Sequence, residues 1–315
     1  MRAVVTGAAG FVGSHLCEAL LTDGCEVVGI DAFTDYYDPR HKEANVAHLL
    51  DWDRFVLHRV ALQHAAITSL LEGADVVFHL AGQPGVRPSW GERFASYVDH
   101  NVLATQRLLE AVHDVRPSKL VFASSSSVYG DAEAYPTAET LRPRPISPYG
   151  VTKLAAEHLC ELYRVAYDVP TVSLRLFTVY GPRQRPDMAF SRLITASLRR
   201  RPFTVFGDGE QTRDFTFVGD VVAALRAAAR SSWTGVANVG GGSCTSINEV
   251  VRIVAGLLGR VDVIHRPAQR GDVRHTAADC TLARGRFGYR PTVRLGEGLA
   301  LMVEAERTAR SVGVG

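Results

Sequence analysis

The sequence of 315 residues predicts an α/β fold, in which a doubly wound parallel sheet is followed by a smaller C-terminal α/β lobe. Two observations predict it. Short apolar runs alternate with helical patterns through the first half, which is typical of parallel strands covered by helices on both faces. After Tyr180, Pro and Gly become frequent. We therefore divide the chain into 1–180 and 181–315, and expect some segments of the second part to return to the main sheet.

The individual elements follow from these patterns in chain order. Apolar runs predict strands at Ala3–Thr6, Glu26–Ile30, Arg54–Val60, Val76–Leu80, Leu120–Ser124 and Thr171–Leu176. Helical patterns between most of them predict helices at Phe11–Leu21, Leu62–Leu71, Tyr97–Val112 and Tyr149–Ala166. Beyond residue 180 we predict helices at Phe190–Arg199, Asp220–Ala229, Ser246–Leu258 and in the amphipathic stretch "GEGLALMVEAERTAR". The stretch "FTFVGDVVAALRAA" suits a return to the main sheet.

Composition excludes several function classes. The formal charge is +2, from 35 Lys+Arg against 33 Asp+Glu, so there is no electrostatic reason to expect nucleic acid or a membrane as a partner. The five cysteines include no CxxC pair, so we expect buried thiols in a reducing compartment and no disulfide scaffold, zinc site or other metal site. No apolar run approaches the ~18 residues of a membrane span, and no secretory leader pattern is present. We expect a cytoplasmic protein.

A glycine-rich turn, "TGAAGFVGS", joins the first predicted strand to the first predicted helix. Gly7 would permit the sharp turn, and Gly10 would let backbone N–H groups approach a pyrophosphate closely. Gly13 would allow close packing of the helix against the strand. The alternative interpretation of the motif alone is a tight turn that binds nothing.

Asp31 strengthens the interpretation as a nucleotide site. It ends the second predicted strand eighteen residues after the last glycine, near the spacing at which a carboxylate binds the adenine ribose hydroxyls. A carboxylate repels a ribose 2′-phosphate, so the pattern predicts NAD rather than NADP. Arg40 and Lys42 are cations that a folded-back loop could bring near to offset this repulsion.

A second group of residues has the chemistry of a proton-transfer site. The stretches "SSSSVYG" and "SPYGVTK" contain Ser125 and Ser126, and then Tyr149 and Lys153 four residues apart on one helix face. A free tyrosine has a pKa of ~10, and a nearby ammonium and a positive nicotinamide ring would lower it by favouring the phenolate. A serine within reach can relay the proton. Together these groups would remove a proton from an alcohol as hydride leaves its carbon, whereas a YxxxK pattern alone also occurs by chance on helices.

These motifs resemble the extended short-chain dehydrogenase/reductase family, the NAD-dependent nucleotide-sugar epimerases and dehydratases. The resemblance runs through essentially the whole chain, in "TGAAGFVGSHL", "VFHLAGQPGVR", "NVLATQRLLEA", "FASSSSVYG", "YGVTK", "LRLFTVYGP", "FGDGEQTRDFTFVGDVV" and "QRGDVRHTAAD". It implies a Rossmann domain that binds NAD, a C-terminal lobe that binds a UDP-sugar, and a homodimer. The amphipathic helices at 97–112 and 149–166 could pair with a second copy as a four-helix bundle, and the alternative is that their apolar faces belong to the core.

The resemblance also implies individual site residues. The cofactor-binding set is Gly7, Gly10, Phe11, Val12, Gly13, Asp31, Phe33, Leu80, Ala81, Gly82, Asn101, Tyr149 and Lys153. Asn101 resembles a helix asparagine that braces the active site. The substrate-binding set is Ser126, Ser127, Thr178, Arg185, Met188, Phe206, Arg213, Arg270 and Asp272, of which Arg213 and Arg270 would meet the UDP pyrophosphate and Asp272 the uridine ribose. One departure is Ala61-Leu62, which stands where family members often carry an acidic residue that contacts the adenine amine.

The residues beside the catalytic serine indicate the reaction. Dehydratases of the family resemble Thr-Asp-Glu there and decarboxylases carry a Glu, whereas Ser125, Ser126 and Ser127 offer no acid/base pair for elimination. The stretch "RPDMA" is similar to UDP-glucuronate 4-epimerases. The resemblance thus implies NAD-dependent conversion of UDP-glucuronate to UDP-galacturonate through a transient 4-keto sugar. Tyr149 would act as the base, with Ser125 bridging to the C4 hydroxyl.

A 4-keto group β to the C6 carboxylate makes the sugar prone to lose CO₂. We expect the hydroxyls of Ser126, Ser127 and Thr178 to hold the carboxylate away from the geometry of loss, and Arg185 to be a pivot contact while the sugar rotates. The alternatives are a UDP-glucose or UDP-N-acetylhexosamine 4-epimerase, a UDP-glucuronate decarboxylase, and a non-catalytic NAD-sensing protein.

Overall fold

The computed structural model describes residues 1–269 and 271–311. Its strands are β1 (Arg2–Thr6), β2 (Glu26–Asp31), β3 (Phe55–Arg59), β4 (Val76–His79), β5 (Lys119–Ser125), β6 (Thr171–Leu176), β7 (Thr178–Tyr180), β8 (Phe203–Phe206), β9 (Thr212–Phe217), β10 (Gly235–Val239), β11 (Cys244–Ser246) and β12 (Val263–Arg266). Its α-helices are α1 (Phe11–Thr22), α2 (Pro39–Val46), α3 (Ile67–Leu71), α4 (Phe94–Tyr97), α5 (Ala104–Val115), α6 (Pro148–Tyr167), α7 (Ala189–Leu198), α8 (Val218–Arg230), α9 (Ile247–Leu258), α10 (Thr281–Phe287) and α11 (Leu295–Ser311). A π-helical turn, Val98–Leu103, joins α4 to α5.

The main sheet has seven parallel strands in the order β10-β6-β5-β4-β1-β2-β3. The strand order reverses between β1 and β4, and in such sheets ligands bind in the crevice beyond the carboxyl ends of the strands at that point. The doubly wound parallel sheet predicted from the sequence is therefore confirmed. Two small sheets lie in the C-terminal part, one in the order β11-β9-β7 and one formed by β12 and β8.

Helices cover both faces of the main sheet, because its strands are apolar on both sides. On one face, Leu16 and Leu20 of α1 and Leu225 of α8 belong to one buried cluster with strand residues of the sheet. On the other face, Leu108 of α5 and Cys160 of α6 belong to a second cluster. A third cluster forms the core of the C-terminal lobe. Among the described helices, none combines the length and apolar character needed to cross a membrane.

Two predictions about individual segments are wrong. The strand of "FTFVGDVVAALRAA" does not join the main sheet, since Phe215 of β9 packs with Tyr180 and Phe190 in the lobe core. Only the helix that follows it, α8, packs against the main sheet, and β10 adds its edge strand beside β6. The helix predicted at 62–71 is confined to α3, because the chain first makes a turn in which the His64 N–H donates to the Ala61 carbonyl.

Candidate active site

The glycine turn lies at the crevice, between β1 and the N-terminus of α1. Gly7 has a φ of +71°, and a Cβ there would lie 2.8 Å from the Ala81 nitrogen. A Cβ on Gly13 would lie 2.0 Å from the Gly7 carbonyl oxygen, so the helix packs on the turn at a distance that only glycine permits. The first amides of α1 have no intrahelical acceptor and line the cleft, which makes this helix end suitable for a pyrophosphate.

Asp31 closes the next part of this cleft at the end of β2. Its carboxylate accepts hydrogen bonds from the Ala9 N–H at 3.1 Å, the Phe33 N–H at 2.8 Å and the Lys42 ammonium at 2.9 Å. Asp31 and Lys42 are both buried, and both line the cleft. Lys42 therefore does fold back onto the carboxylate, whereas Arg40 is exposed and pairs with Asp38.

The far end of the same cleft is lined by Val60, Leu62, Gln63 and His100. The Gln63 amide nitrogen donates to Asp99 at 2.9 Å and lies 2.9 Å from the His100 Nδ1. With its amide nitrogen engaged in this way, Gln63 has its carbonyl oxygen to offer as an acceptor. Gln63 thus provides polar chemistry suited to an adenine amine, two residues after Ala61, where the acidic residue is missing.

The proton-transfer group lies in a second cleft that continues from the first through Phe11, Val12, Leu80 and Gly82. Ser125 ends β5, and Ser126 and Ser127 follow it. Tyr149 and Lys153 lie on the first turns of α6. Helix α6 begins at Ser147, whose hydroxyl accepts the Gly150 N–H at 3.1 Å, with Pro148 in its first turn. The Ser147 cap therefore determines where α6 begins, and with it the positions of Tyr149 and Lys153.

The protein alone raises the pKa of Tyr149, so the lowering that we expect from Lys153 together with a positive nicotinamide ring stays a prediction. Burial raises that pKa, while the Ser125 hydroxyl and the Arg185 charge act in the opposite direction. Burial also lowers the pKa of Lys153 to about 8, and its ammonium lies 4.4 Å from the centre of the Phe122 ring. Thus Ser125 and Arg185 are groups of this chain that favour the phenolate.

Asn101 connects two sides of the second cleft, the loop after β4 and helix α6, by hydrogen bonds. It lies in the π-helical turn, where such turns are frequent at functional sites. Its side-chain oxygen accepts the Gln83 N–H at 2.6 Å, and its amide nitrogen donates to the Gln83 carbonyl at 3.1 Å and to the Thr152 hydroxyl at 3.0 Å. Thr152 in turn donates to the Tyr149 carbonyl at 2.9 Å. These contacts are those of a brace between the loop after β4 and α6.

A third cleft opens from the second toward the C-terminal lobe, with Thr178 and Met188 lining both. Phe206, Arg213 and Asp272 line the third cleft. Burial lowers the pKa of Arg213, whose guanidinium donates to the Thr212 carbonyl at 2.8 Å and has no ion-pair partner among the described residues. A half-buried cation without an ion-pair partner is suited to an anionic ligand.

The three clefts form one continuous path whose residues fit a dinucleotide at one end. A glycine cradle that a Cβ would fill, free helix amides and a ribose-facing carboxylate are the parts that NAD requires. The family model described as "NAD dependent epimerase/dehydratase family" matches residues 3–240.

The chain belongs to this family.

Individual relatives are similar to this chain over nearly their whole length. The UDP-glucuronic acid 4-epimerase from Bacillus cereus, solved in complex with UDP-glucuronic acid and NAD, has a TM-score of 0.95 and 43% sequence identity, with 98% of this chain and 99% of that chain covered. "Uncharacterized UDP-glucose epimerase YtcB" of Bacillus subtilis is 46% identical, over 95% of this chain and 96% of its own. "Probable UDP-glucuronate 4-epimerase" of Rhizobium meliloti is 37% identical, over 96% of both. The resemblance stated from the sequence is thus confirmed, and NAD is the cofactor.

Most of the residues predicted for this epimerase/dehydratase site lie on the path. The first cleft contains Gly7, Gly10, Phe11, Val12, Gly13, Asp31, Leu80, Ala81 and Gly82. The second contains Asn101, Ser125, Ser126, Ser127, Tyr149, Lys153, Thr178, Arg185 and Met188. Phe33 lines none of the three clefts. Its backbone has a φ of +48°, and its ring packs on the Arg59 guanidinium at 4.2 Å. Arg270 lies outside the described residues.

Gln63 and Arg87 are among the residues of the path that the sequence did not predict. Arg87 donates to Asp272 at 2.6 Å, and its guanidinium lies 4.4 Å from the centre of the Phe206 ring. Its position in "GQPGVRPS" carries no local signal, because its partners come from the other end of the chain. A signal for Gln63 was present in the sequence, because it is the first polar side chain after Ala61-Leu62, where the acidic residue is missing.

Proposed function

We propose that this chain catalyses the NAD-dependent 4-epimerisation of UDP-glucuronate to UDP-galacturonate. The lining of the second cleft carries the proposal. Among the described residues that line it, none is Asp or Glu, whereas the hydroxyls of Ser126, Ser127 and Thr178 and the guanidinium of Arg185 are present. Elimination of water needs an acid/base pair that this lining lacks, and a sugar carboxylate needs donors of the kind that it has. The names of the relatives support the same activity.

The carboxylate nearest in sequence to Tyr149 and Lys153, Glu157, is already engaged within the fold. It accepts the Ser124 hydroxyl at 2.8 Å and pairs with Arg175 at 2.5 Å, with both side chains buried. A buried, paired carboxylate serves packing rather than proton transfer, which leaves Tyr149 as the titratable oxygen of the site.

The residues of the chain would divide the reaction as follows. NAD, when bound, accepts a hydride from C4 and returns it. Tyr149 takes the proton of the C4 hydroxyl, with Ser125 bridging the two oxygens, and gives the proton back when C4 is reduced from its other face. Arg185 stabilises the phenolate by its charge. Its own orientation is fixed by two contacts of 3.0 Å with Asp187.

The hydroxyls of Ser126, Ser127 and Thr178 would control the fate of the 4-keto sugar. A carboxylate β to a ketone is lost when the breaking bond stands perpendicular to the carbonyl plane, and three fixed donors prevent that orientation. We expect Thr178→Ala to release a decarboxylated 4-keto pentose nucleotide, measured by chromatography with mass detection. Thr204→Ala, in the third cleft, is the matched control that removes a hydroxyl elsewhere. Slower but clean epimerisation by Thr178→Ala would exclude this role.

The division of labour along the chain is part of the proposal. Residues 1–180 would bind NAD and supply Ser125, Tyr149 and Lys153, and residues 181–315 would mainly bind the nucleotide sugar. Arg213 and Asp272 would meet the UDP moiety, with Phe206 and Met188 as walls, and Arg87 is added to them from the first part.

We also propose a cytoplasmic homodimer. The helical layer formed by α5, α6 and the turn before α5 exposes apolar side chains, namely Val98, Leu103, Leu162, Val165 and Tyr167. Such a stripe on two adjacent helices suits pairing with the same helices of a second copy. All five cysteines are free thiols, which suits a reducing compartment. Light scattering should give twice the chain mass for the wild type. The double variant Leu162→Glu/Val165→Glu should give the mass of one chain.

Product analysis tests the catalytic proposal. Purified protein is incubated with UDP-glucuronate, UDP-glucose and UDP-N-acetylglucosamine in parallel, with and without added NAD, and the products are separated by anion-exchange chromatography. We expect UDP-galacturonate from UDP-glucuronate, and the same equilibrium ratio approached from UDP-galacturonate. Faster turnover of UDP-glucose, or a pentose nucleotide as the main product, would overturn the proposed substrate or reaction.

A further inference from the structure

Lys42 and Asp31 form a buried ion pair in the cofactor cleft. The Lys42 Nζ lies 2.9 Å from the Asp31 Oδ1, and the two side chains are 10% and 4% exposed. Lysine is rarely buried, because its ammonium loses hydration that only a close partner replaces. A pair of this kind at the wall of a ligand cleft sets the charge that the ligand meets.

Among the residues that the structure describes, Asp31 is the only one that forms an ion pair with the Lys42 ammonium. The other neighbours of the ammonium are aromatic rings, with ring centres of Phe33 and Tyr37 at 5.9 Å and 5.7 Å. The Asp31 carboxylate, in contrast, keeps two backbone donors, the N–H groups of Ala9 and Phe33. Removing the carboxylate would therefore leave the ammonium with no anionic partner in the cleft.

The charge balance changes how the site distinguishes the two dinucleotides. A lone carboxylate at the ribose diol would repel a 2′-phosphate by its full charge. With an ammonium 2.9 Å away, the pair is neutral overall, and repulsion is reduced. Discrimination then rests on the fact that Asp31 already balances the charge of the Lys42 ammonium, so the pair has no net positive charge to attract a phosphate.

We propose that Lys42 is a specificity-determining residue for the cofactor, and that the Asp31–Lys42 pair is a phosphate site closed by its own carboxylate. Asp31 favours NAD in two ways: it accepts the ribose hydroxyls, and it occupies the cation that would bind a 2′-phosphate. Replacing the Asp31 carboxylate by an amide of the same size frees Lys42 to bind the 2′-phosphate of NADP.

The test measures binding rather than turnover. Bound nucleotide is removed, and the dissociation constants of ADP-ribose and 2′-phospho-ADP-ribose are measured by calorimetry for the whole protein. We expect the wild type to bind ADP-ribose and to discriminate against the phosphorylated probe. In Asp31→Asn we expect the affinity for 2′-phospho-ADP-ribose to rise about 10- to 100-fold, the contribution of one hydrogen bond between charged groups.

The double variant Asp31→Asn with Lys42→Met assigns that gain to Lys42. We expect it to lose the gain completely. The matched control is Asp31→Asn with Arg40→Met, because Arg40 lies on the same helix, carries the same charge and is 86% exposed. It should keep the gain. Asp31→Ser is measured beside Asp31→Asn, and thermal melts identify any variant that does not fold.

Two results would overturn the proposal. In the first, neither folded Asp31 variant gains affinity for 2′-phospho-ADP-ribose, which would mean that Lys42 cannot reach a 2′-phosphate. In the second, the gain survives Lys42→Met or disappears equally with Arg40→Met, which would mean that general charge rather than Lys42 binds the probe. The epimerisation test above is independent of both results.

Discussion

The cofactor cleft and the third cleft, which we propose as the nucleotide pocket, are built in different ways. In the cofactor cleft, backbone geometry at Gly7 and Gly13 and the buried pair Asp31–Lys42 determine the shape. In the nucleotide pocket, the corresponding pair is Arg87–Asp272, whose side chains are 41% and 31% exposed. Exposed ion pairs contribute little energy and exchange partners easily. We therefore expect changes in the first region to abolish binding or chemistry, and changes in the second to alter substrate affinity.

The largest effect should come from Tyr149, the titratable oxygen where the two regions meet. Tyr149→Phe removes the group that takes the C4 proton, so we expect kcat to fall about 10²- to 10⁴-fold, the usual contribution of general base catalysis. The cofactor should remain bound, because the glycine turn and Asp31, which line the first cleft, are unchanged. Turnover is measured by product chromatography and bound NAD by release on denaturation.

Tyr167→Phe is the matched control for this experiment. Tyr167 lies at the end of the same helix and is 54% exposed, so the loss of its hydroxyl should leave kcat unchanged. Retention of most activity by Tyr149→Phe would remove Tyr149 from the mechanism and leave the site without its base.

The contrast between the cofactor cleft and the third cleft also explains which residues the sequence could predict. Gly7, Gly13 and Asp31 act through backbone turns and strand ends within one βαβ unit, and Tyr149 and Lys153 share one helix, so their spacing was sufficient. Arg87 and Asp272 are 185 residues apart in the chain, and nothing in their neighbours brings them together. The third cleft, which contains both residues, is thus the part of the path that sequence spacing describes least.

The pKa values of Tyr149 and Lys153 could not be predicted from their spacing in the sequence either. The four-residue spacing placed Lys153 near Tyr149, but burial raises the pKa of the tyrosine and lowers that of the lysine. The cation that favours the phenolate is Arg185, which comes from the loop after β7. Desolvation depends on what covers a residue in the fold, and spacing along one helix does not contain that information.

The second largest effect should come from the glycine turn. In Gly13→Ala the new methyl would lie 2.0 Å from the Gly7 carbonyl oxygen, so α1 must move away from the turn. We expect about 1–3 kcal/mol less free energy of unfolding and a comparable loss in NAD binding. Denaturant unfolding and calorimetry measure the two quantities.

Gly256→Ala is the control for the other region. Gly256 lies inside α9, and a Cβ there would meet nothing within 4 Å. Alanine should therefore stabilise the protein by roughly 0.5–1 kcal/mol through helix propensity, without an effect on NAD. If Gly13→Ala behaved like Gly256→Ala, the close packing of α1 on the turn would not matter for the cofactor.

A smaller effect should appear in the pH dependence. Burial lowers the pKa of Lys153 to about 8, so its ammonium is charged below that pH and neutral above it. The pKa of Tyr149 is raised above its usual ~10, so Lys153 is the first of the two to lose a proton as pH rises. If the ammonium is required, kcat/KM should fall above about pH 8, measured from pH 6 to 10. A flat profile through pH 10 would show that its charge is not used.

The smallest effect should come from Arg87 in the nucleotide pocket. Arg87→Met removes the partner of Asp272 and the cation over Phe206 but leaves the cofactor cleft and the Tyr149 site intact. We expect KM for the UDP-sugar to rise up to about fivefold, within the ~1 kcal/mol of an exposed ion pair, with kcat unchanged. Arg274→Met is the matched control, because Arg274 also forms an exposed ion pair, with Asp208, outside the lining of the pocket. A fall in kcat as large as the rise in KM would mean that the two regions are coupled, since Arg87 would then act on the reacting sugar through the loop that Asn101 braces.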